Sequence, residues 1–144
     1  MRRALELAAM AAAEGEVPVG ALIVREATGE ILAEAYNRRE SDKDPLAHAE
    51  LLAIREASLR LGGWRLPGCT LVVTLEPCPM CAGGIIHSRI ERVVFGASDP
   101  KGGACGSVVD LFALPFNHKP EVISGVLEDE CAAILRDFFR ARRR

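Results

Sequence analysis

A chain of 144 residues with 49% apolar content is sized for one domain with one core, here taken as residues 1–144. A formal net charge of −2 excludes a protein that coats nucleic acid nonspecifically, and no apolar run approaches the roughly 20 residues of a membrane span. The five cysteines, odd in number and unevenly spaced, make a poor disulfide framework and point to metal or redox chemistry in a reducing compartment.

Residues 2–14 predict an amphipathic helix stopped by Gly15; Glu6 and the alanine-rich composition argue against a signal peptide. Residues 19–24 and 30–36 predict two strands joined by a turn at 25–29, hence an antiparallel hairpin. Residues 37–45 are too charged for core and predict a loop. A helix is expected over 46–61, with Ala47, Leu51, Ile54, Ser58 and Leu61 as its inward stripe and Gly62-Gly63 as its end. A strand at 69–75, a helix at 78–88 with Pro79 in its first turn, and a strand at 92–96 make a βαβ crossover with parallel strands. A glycine-rich loop at 97–106 leads to a short helix at 107–114, a last strand at 121–124 and a closing helix at 127–144, acidic at its start and basic at its end. The sum is an α/β fold, a three-layer α/β/α sandwich around a mixed sheet of roughly five strands.

Chemistry concentrates in His48-Ala49-Glu50 and Pro77-Cys78-Pro79-Met80-Cys81. Cys78 and Cys81, three apart at a helix start, share a face, and the helix N-terminus favours thiolate. His48 adds a third donor of suitable softness for one zinc ion. Three protein ligands leave a position for water, where a structural zinc site closes with four. Glu50 is the candidate proton carrier between the attacking water and the leaving amine. It stands two residues from His48, a spacing that shares no helical face, so the pair works only if His48 sits on non-helical backbone at the helix start.

Other readings compete. Cys-x-x-Cys after a strand and opening a helix is also a dithiol redox arrangement, but such a protein needs neither His48 nor Glu50. A purely structural zinc needs a fourth ligand, with Cys69, Cys105, Cys131, His87 and His118 the paper candidates. Cys69 and Cys131 are more simply small core residues, His87 a capping or surface residue, Cys105 incidental and Met80 core filling.

Beyond the zinc signature, the chain carries Glu16-Val17-Pro18-Val19-Gly20-Ala21, Asn37-Arg38-Arg39-Glu40, Thr74-Leu75-Glu76-Pro77-Cys78, Ile86-His87-Ser88-Arg89-Ile90 and Glu130-Cys131-Ala132 through Phe138-Phe139-Arg140. With these segments it resembles the bacterial tRNA-specific adenosine deaminases of the cytidine/deoxycytidylate deaminase superfamily. The resemblance implies zinc on His48, Cys78 and Cys81, and proton transfer by Glu50. It implies hydrolysis at C6 of the wobble adenosine of a tRNA anticodon to give inosine and ammonia. Asn37 and backbone around Ala49 would hold the flipped base, Asp99 and Lys101 would meet loop nucleotides, and Arg140 with the terminal arginines would meet the RNA backbone. It further implies a homodimer. The reducing compartment is read as the cytoplasm, with no membrane partner and no DNA expected. Turn chemistry is the competing role for Asn37 and Asp99, dipole compensation for the arginine tail. A deaminase of a free base, nucleoside or nucleotide is the alternative the zinc motif does not separate.

Overall fold

The computed structural model describes residues 1–143; Arg144, the end of the predicted last helix, lies outside the described residues. The elements are α1 (Arg2–Ala13), β1 (Gly20–Arg25), β2 (Glu30–Tyr36), α2 (Ala49–Leu61), β3 (Cys69–Leu75), α3 (Pro79–Ser88), β4 (Arg92–Ala97), a 3-10 turn (Leu111–Ala113), β5 (Glu121–Ile123) and α4 (Glu128–Arg142). The sheet runs β2-β1-β3-β4-β5. β1 is antiparallel to both β2 and β3, whereas β3, β4 and β5 are parallel, so the predicted hairpin and crossover are both present.

Strand alternation divides the core between the two faces of the sheet. Ala21, Ile23, Leu71 and Val73 join the main cluster under α2 and α3, with Ala53, Ala57 and Ile85. Leu22, Val24, Tyr36 and Val72 turn the other way, onto Ala4 and Leu7 of α1. α4 packs beside α1 against β4, completing the three layers. There Cys131, fully buried, meets Gly96, where an added Cβ would stand 2.3 Å from its Sγ. Cys131 is thus a small core residue that lets α4 approach the sheet, and Cys69 is likewise buried.

Two expectations are corrected. α2 begins at Ala49, and its buried positions are Ala49, Glu50, Ala53 and Ala57. Ala47 is buried but precedes the helix, and the stripe of Leu51, Ile54, Ser58 and Leu61 is only half-buried. Alanines occupy the line of closest approach to the sheet, and the larger residues flank it. The expected helix at 107–114 reduces to the 3-10 turn: the Asp110 carboxylate accepts the Phe112 N–H at 3.1 Å, and Pro115 follows. Gly62 ends α2 as predicted, at φ 78° in the left-handed region.

Candidate active site

Two helix starts meet at the carboxyl end of β3. His48 is the N-cap of α2, with extended backbone at φ −76° and ψ 148°. That geometry resolves the awkward spacing to Glu50: His48 is aimed by non-helical backbone and Glu50 by the first helical turn. Cys78 is the N-cap of α3, Pro79 occupies the first turn, and Cys81 follows inside it. Both helix N-termini direct their positive ends at the thiols.

His48 Nδ1 lies 3.6 Å from Cys78 Sγ and 3.6 Å from Cys81 Sγ. A tetrahedral zinc with Zn–N of about 2.05 Å and Zn–S of about 2.3 Å separates its nitrogen and sulfur ligands by roughly 3.6 Å, so the donor set fits the ion. Among the described residues the cluster comprises these three, with all donor atoms within 4.8 Å of one another. The other candidates are elsewhere engaged: the Cys69 thiol faces Pro67 O at 3.4 Å, His118 Nε2 bonds Ile90 O at 2.6 Å, and His87 is exposed at the end of α3. A set of three donors, where a structural zinc site closes with four, matches a catalytic zinc site.

The electrostatics suit metal capture and proton transfer. Hydrogen bonds from the Cys81 thiol and from His48 outweigh burial and bring Cys78 down to about 4. Cys81, fully buried and sharing its proton with that thiolate, is held up. His48 is raised, chiefly by its hydrogen bond to Cys78. Glu50 is 4% exposed, and burial, helped by the Cys78 charge, pushes its carboxyl up to about 7. A carboxyl poised there both takes and returns a proton near neutral pH.

A cavity of about 140 Å³ opens beside these groups, lined by Val17, Val19, Asn37, Ala49, Leu75 and Asp99 among others. It is several times the roughly 30 Å³ of one water, room for a planar ring. The predicted residues divide. Asn37, Ala49 and Asp99 line the cavity together with His48, Glu50 and Cys78. Lys101 and Arg140 are exposed and do not line it. Asn37 is 8% exposed; its Nδ2 donates to Val17 O and its Oδ1 accepts from Arg39 N, both at 3.2 Å, so it is the turn residue as well as a pocket wall. Each side-chain atom retains bonding capacity, one N–H and one lone pair. Asp99 Oδ1 accepts from the N–H of Lys101 at 3.1 Å and Gly102 at 3.2 Å, ordinary turn chemistry at the rim.

Sequence reasoning missed Arg39 and Glu76 on the wall, and it missed Glu16. Glu76 is adjacent to the zinc motif in sequence, the one signal that singled it out. Glu16 and Glu76 are held below the usual carboxylate range because hydrogen bonds outweigh their burial, from Ser41 and Glu40 in the first case and from Ser107, Asp99 and Cys105 in the second.

The family model of the cytidine and deoxycytidylate deaminase zinc-binding region matches residues 1–97. The tRNA-specific adenosine deaminase of Bacillus subtilis (strain 168) is 54% identical over 145 residues, covering 100% of this chain and 89% of that protein. Its namesake in Haemophilus influenzae is 52% identical over 144 residues, covering 99% of this chain and 83% of that protein. A solved structure from work on A-to-I editing by tRNA:A34 deaminases at the wobble position of transfer RNA has a TM-score of 0.90 at 48% identity, covering 94% of this chain and 97% of that one. The guanine deaminase from Nitrosomonas europaea has a TM-score of 0.84 at 26% identity, over 95% and 81% of the two chains.

Proposed function

The chain belongs to the cytidine and deoxycytidylate deaminase family, and from that premise we propose that it is a tRNA adenosine deaminase, a single zinc-dependent domain over residues 1–144 that converts the wobble adenosine of a tRNA anticodon to inosine. The observation that carries this reading is the buried Glu50 carboxyl beside a three-ligand His48, Cys78, Cys81 cluster at a base-sized cavity. Near-full-length identity of about half to proteins named tRNA-specific adenosine deaminases selects the substrate.

His48, Cys78 and Cys81 would hold one zinc, which when bound supplies Lewis-acid activation of water near neutral pH. Glu50 takes a proton from the attacking water and delivers it to the departing amine. The balance is one water consumed, the C6–N bond broken, a C6 carbonyl formed and ammonia released. The spare N–H and lone pair of Asn37 would engage the base edge. The N–H of Ala49, in the first turn of α2 where no intrahelical acceptor exists, would add a backbone contact. Asp99 and Lys101 at the rim would meet neighbouring nucleotides and Arg140 the RNA backbone. Arg142 is already engaged, bonding Gly15 O and lying over the Phe138 ring at 4.6 Å, so Arg140 is the freer cation.

The test is inosine formation in an anticodon stem-loop RNA with adenosine at the wobble position, alongside free adenosine, guanine and cytidine. Inosine in the RNA alone is expected; turnover of a free base or nucleoside with untouched RNA would reduce the function to small-molecule deamination. In a binding titration on the same stem-loop RNA, Arg140→Ala should flatten the log–log salt dependence by about 0.7, the share of one phosphate contact to single-stranded RNA.

We further propose a homodimer in the cytoplasm. Residues 107–116 expose Val108, Val109, Leu114 and Phe116 at 39% to 61%, an apolar surface of the kind a partner covers. Five unpaired cysteines suit a reducing compartment, and among the described residues no helix is long and apolar enough to cross a membrane. Light scattering should return twice the 15.5 kDa chain mass, and one chain mass at micromolar concentration would remove the dimer.

A further inference from the structure

The cavity is bordered by two loops outside the strands and helices, the second carrying only the isolated bridge between Cys105 and Asp110. Residues 37–45 bring Asn37 and Arg39 to its wall, and residues 98–107 bring Asp99. Behind each loop stands a buried carboxylate, Glu16 at 1% and Glu76 at 3% exposure. Neither takes part in an ion pair among the described residues. Their partners are loop donors instead. Glu76 Oε1 accepts from Asp99 N at 3.0 Å and from the Ser107 hydroxyl. Its Oε2 accepts from Cys105 N at 2.9 Å and Ser107 N at 3.1 Å. Glu16 Oε1 accepts from Glu40 N at 3.0 Å, and its Oε2 from Ser41 N at 2.6 Å.

Burying a charge without a counter-ion is costly unless hydrogen bonds satisfy it. Here the donors come from segments that have no strand or helix ladder of their own, so the carboxylate substitutes for one. Both oxygens of each group are acceptors, a demand that only an ionised carboxylate meets; an amide of the same shape turns an NH2 towards an N–H. The loop of residues 98–107 is shaped to this acceptor. At Gly103 an added Cβ would stand 2.3 Å from the Glu76 Cδ and Oε2 and 2.5 Å from Oε1, so any side chain there would push the Glu76 carboxylate out of its place.

We propose that Glu76 and Glu16 are positioning residues, one behind each rim, that fix the two loops in the conformation that receives the substrate base and its neighbours. The proposal rests on reading the cavity as the substrate site. Glu16 does not line the cavity, and Glu76, which borders it, spends both carboxylate oxygens on loop donors, so each acts through the loop it holds.

The test uses zinc-loaded full-length protein carrying Glu76→Gln, Glu16→Gln or Gly103→Ala. The last crowds Glu76 from the loop side and leaves its carboxylate intact. Steady-state kinetics are run on the stem-loop RNA, or on whichever substrate the wild-type protein turns over, with metal analysis in parallel. KM should rise about 10–100-fold, the scale of a lost hydrogen bond to a charged group, while kcat stays within about threefold and zinc remains at one per chain. Hydrogen exchange, which needs no substrate, should quicken at Asp99, Cys105 and Ser107 in Glu76→Gln and at Glu40 and Ser41 in Glu16→Gln. Unchanged KM, unchanged exchange at those amides, or a fall in kcat that tracks zinc loss would each overturn the proposal. Inactivity of the wild-type protein on RNA with turnover of a free base would instead fault the choice of substrate, and the KM and exchange comparisons would still decide the role of the two carboxylates.

Discussion

Glu50→Gln is expected to lower the deamination rate by about 10²–10⁴-fold, the span that a positioned general acid–base contributes, while zinc stays at one per chain. That loss corresponds to roughly 2.7–5.5 kcal/mol of transition-state stabilisation. The separation of rate from metal follows from the geometry. Glu50 is not among the three residues whose donor atoms cluster, so its carboxylate is not needed to retain the ion. Its side chain is 4% exposed in the first turn of α2, and glutamine fills the same volume. Burial already resists charge there, holding the carboxyl up to about 7, so a neutral amide brings no unsatisfied charge and the fold should survive. Single-turnover rates with metal analysis decide the matter: turnover within tenfold of the wild type would deny Glu50 the proton, and parallel loss of zinc would make it a ligand.

The parts of this site that were legible in the sequence are those fixed by short-range geometry. Cys78 and Cys81 share a face because three residues make nearly one helical turn, and Pro79 marks where that turn begins. The two-residue step from His48 to Glu50 carried more information: it required a helix boundary between them, and the boundary lies at His48. The expected stripe on α2 found the flank of the buried face rather than its centre, because it assumed a helix from 46 and weighted large residues. The sheet comes close enough that alanine is what fits, and composition says nothing of interlayer distance. Glu16 and Glu76 stood in the motif segments, but their role was not legible, for a different reason. Their meaning lies in donors 23 to 31 residues away, such as Asp99 and Ser107 for Glu76, brought together only when the loops close. Cys105, read as incidental, matters through its backbone N–H, which no side-chain motif records.

Cys81→Ser should remove the zinc and the activity together. Cys81 is fully buried on the inner side of the cluster, whereas Cys78 is half-buried. Serine keeps the shape but presents a hydroxyl that stays protonated near neutral pH, a far poorer ligand for zinc than a thiolate. Two ligands then remain, and affinity should fall until the purified variant holds less than about a tenth of an equivalent, a loss larger than the 10–100-fold of disturbing a ligand's supporting hydrogen bond. Stability follows by linkage. Zinc bound at free concentrations 100 times Kd stabilises the folded chain by about 2.7 kcal/mol. At about 3 °C per kcal/mol for a domain of this size, that is a melting shift of roughly 8 °C. A chelator should therefore lower the wild-type melting temperature by about that amount and leave that of Cys81→Ser unmoved. The comparison separates metal loss from cavity formation, since a packing defect alone would lower the variant's melting point while preserving its response to chelator. Retention of zinc and turnover by Cys81→Ser would show that the ion is held by some other set of ligands than the three that converge here.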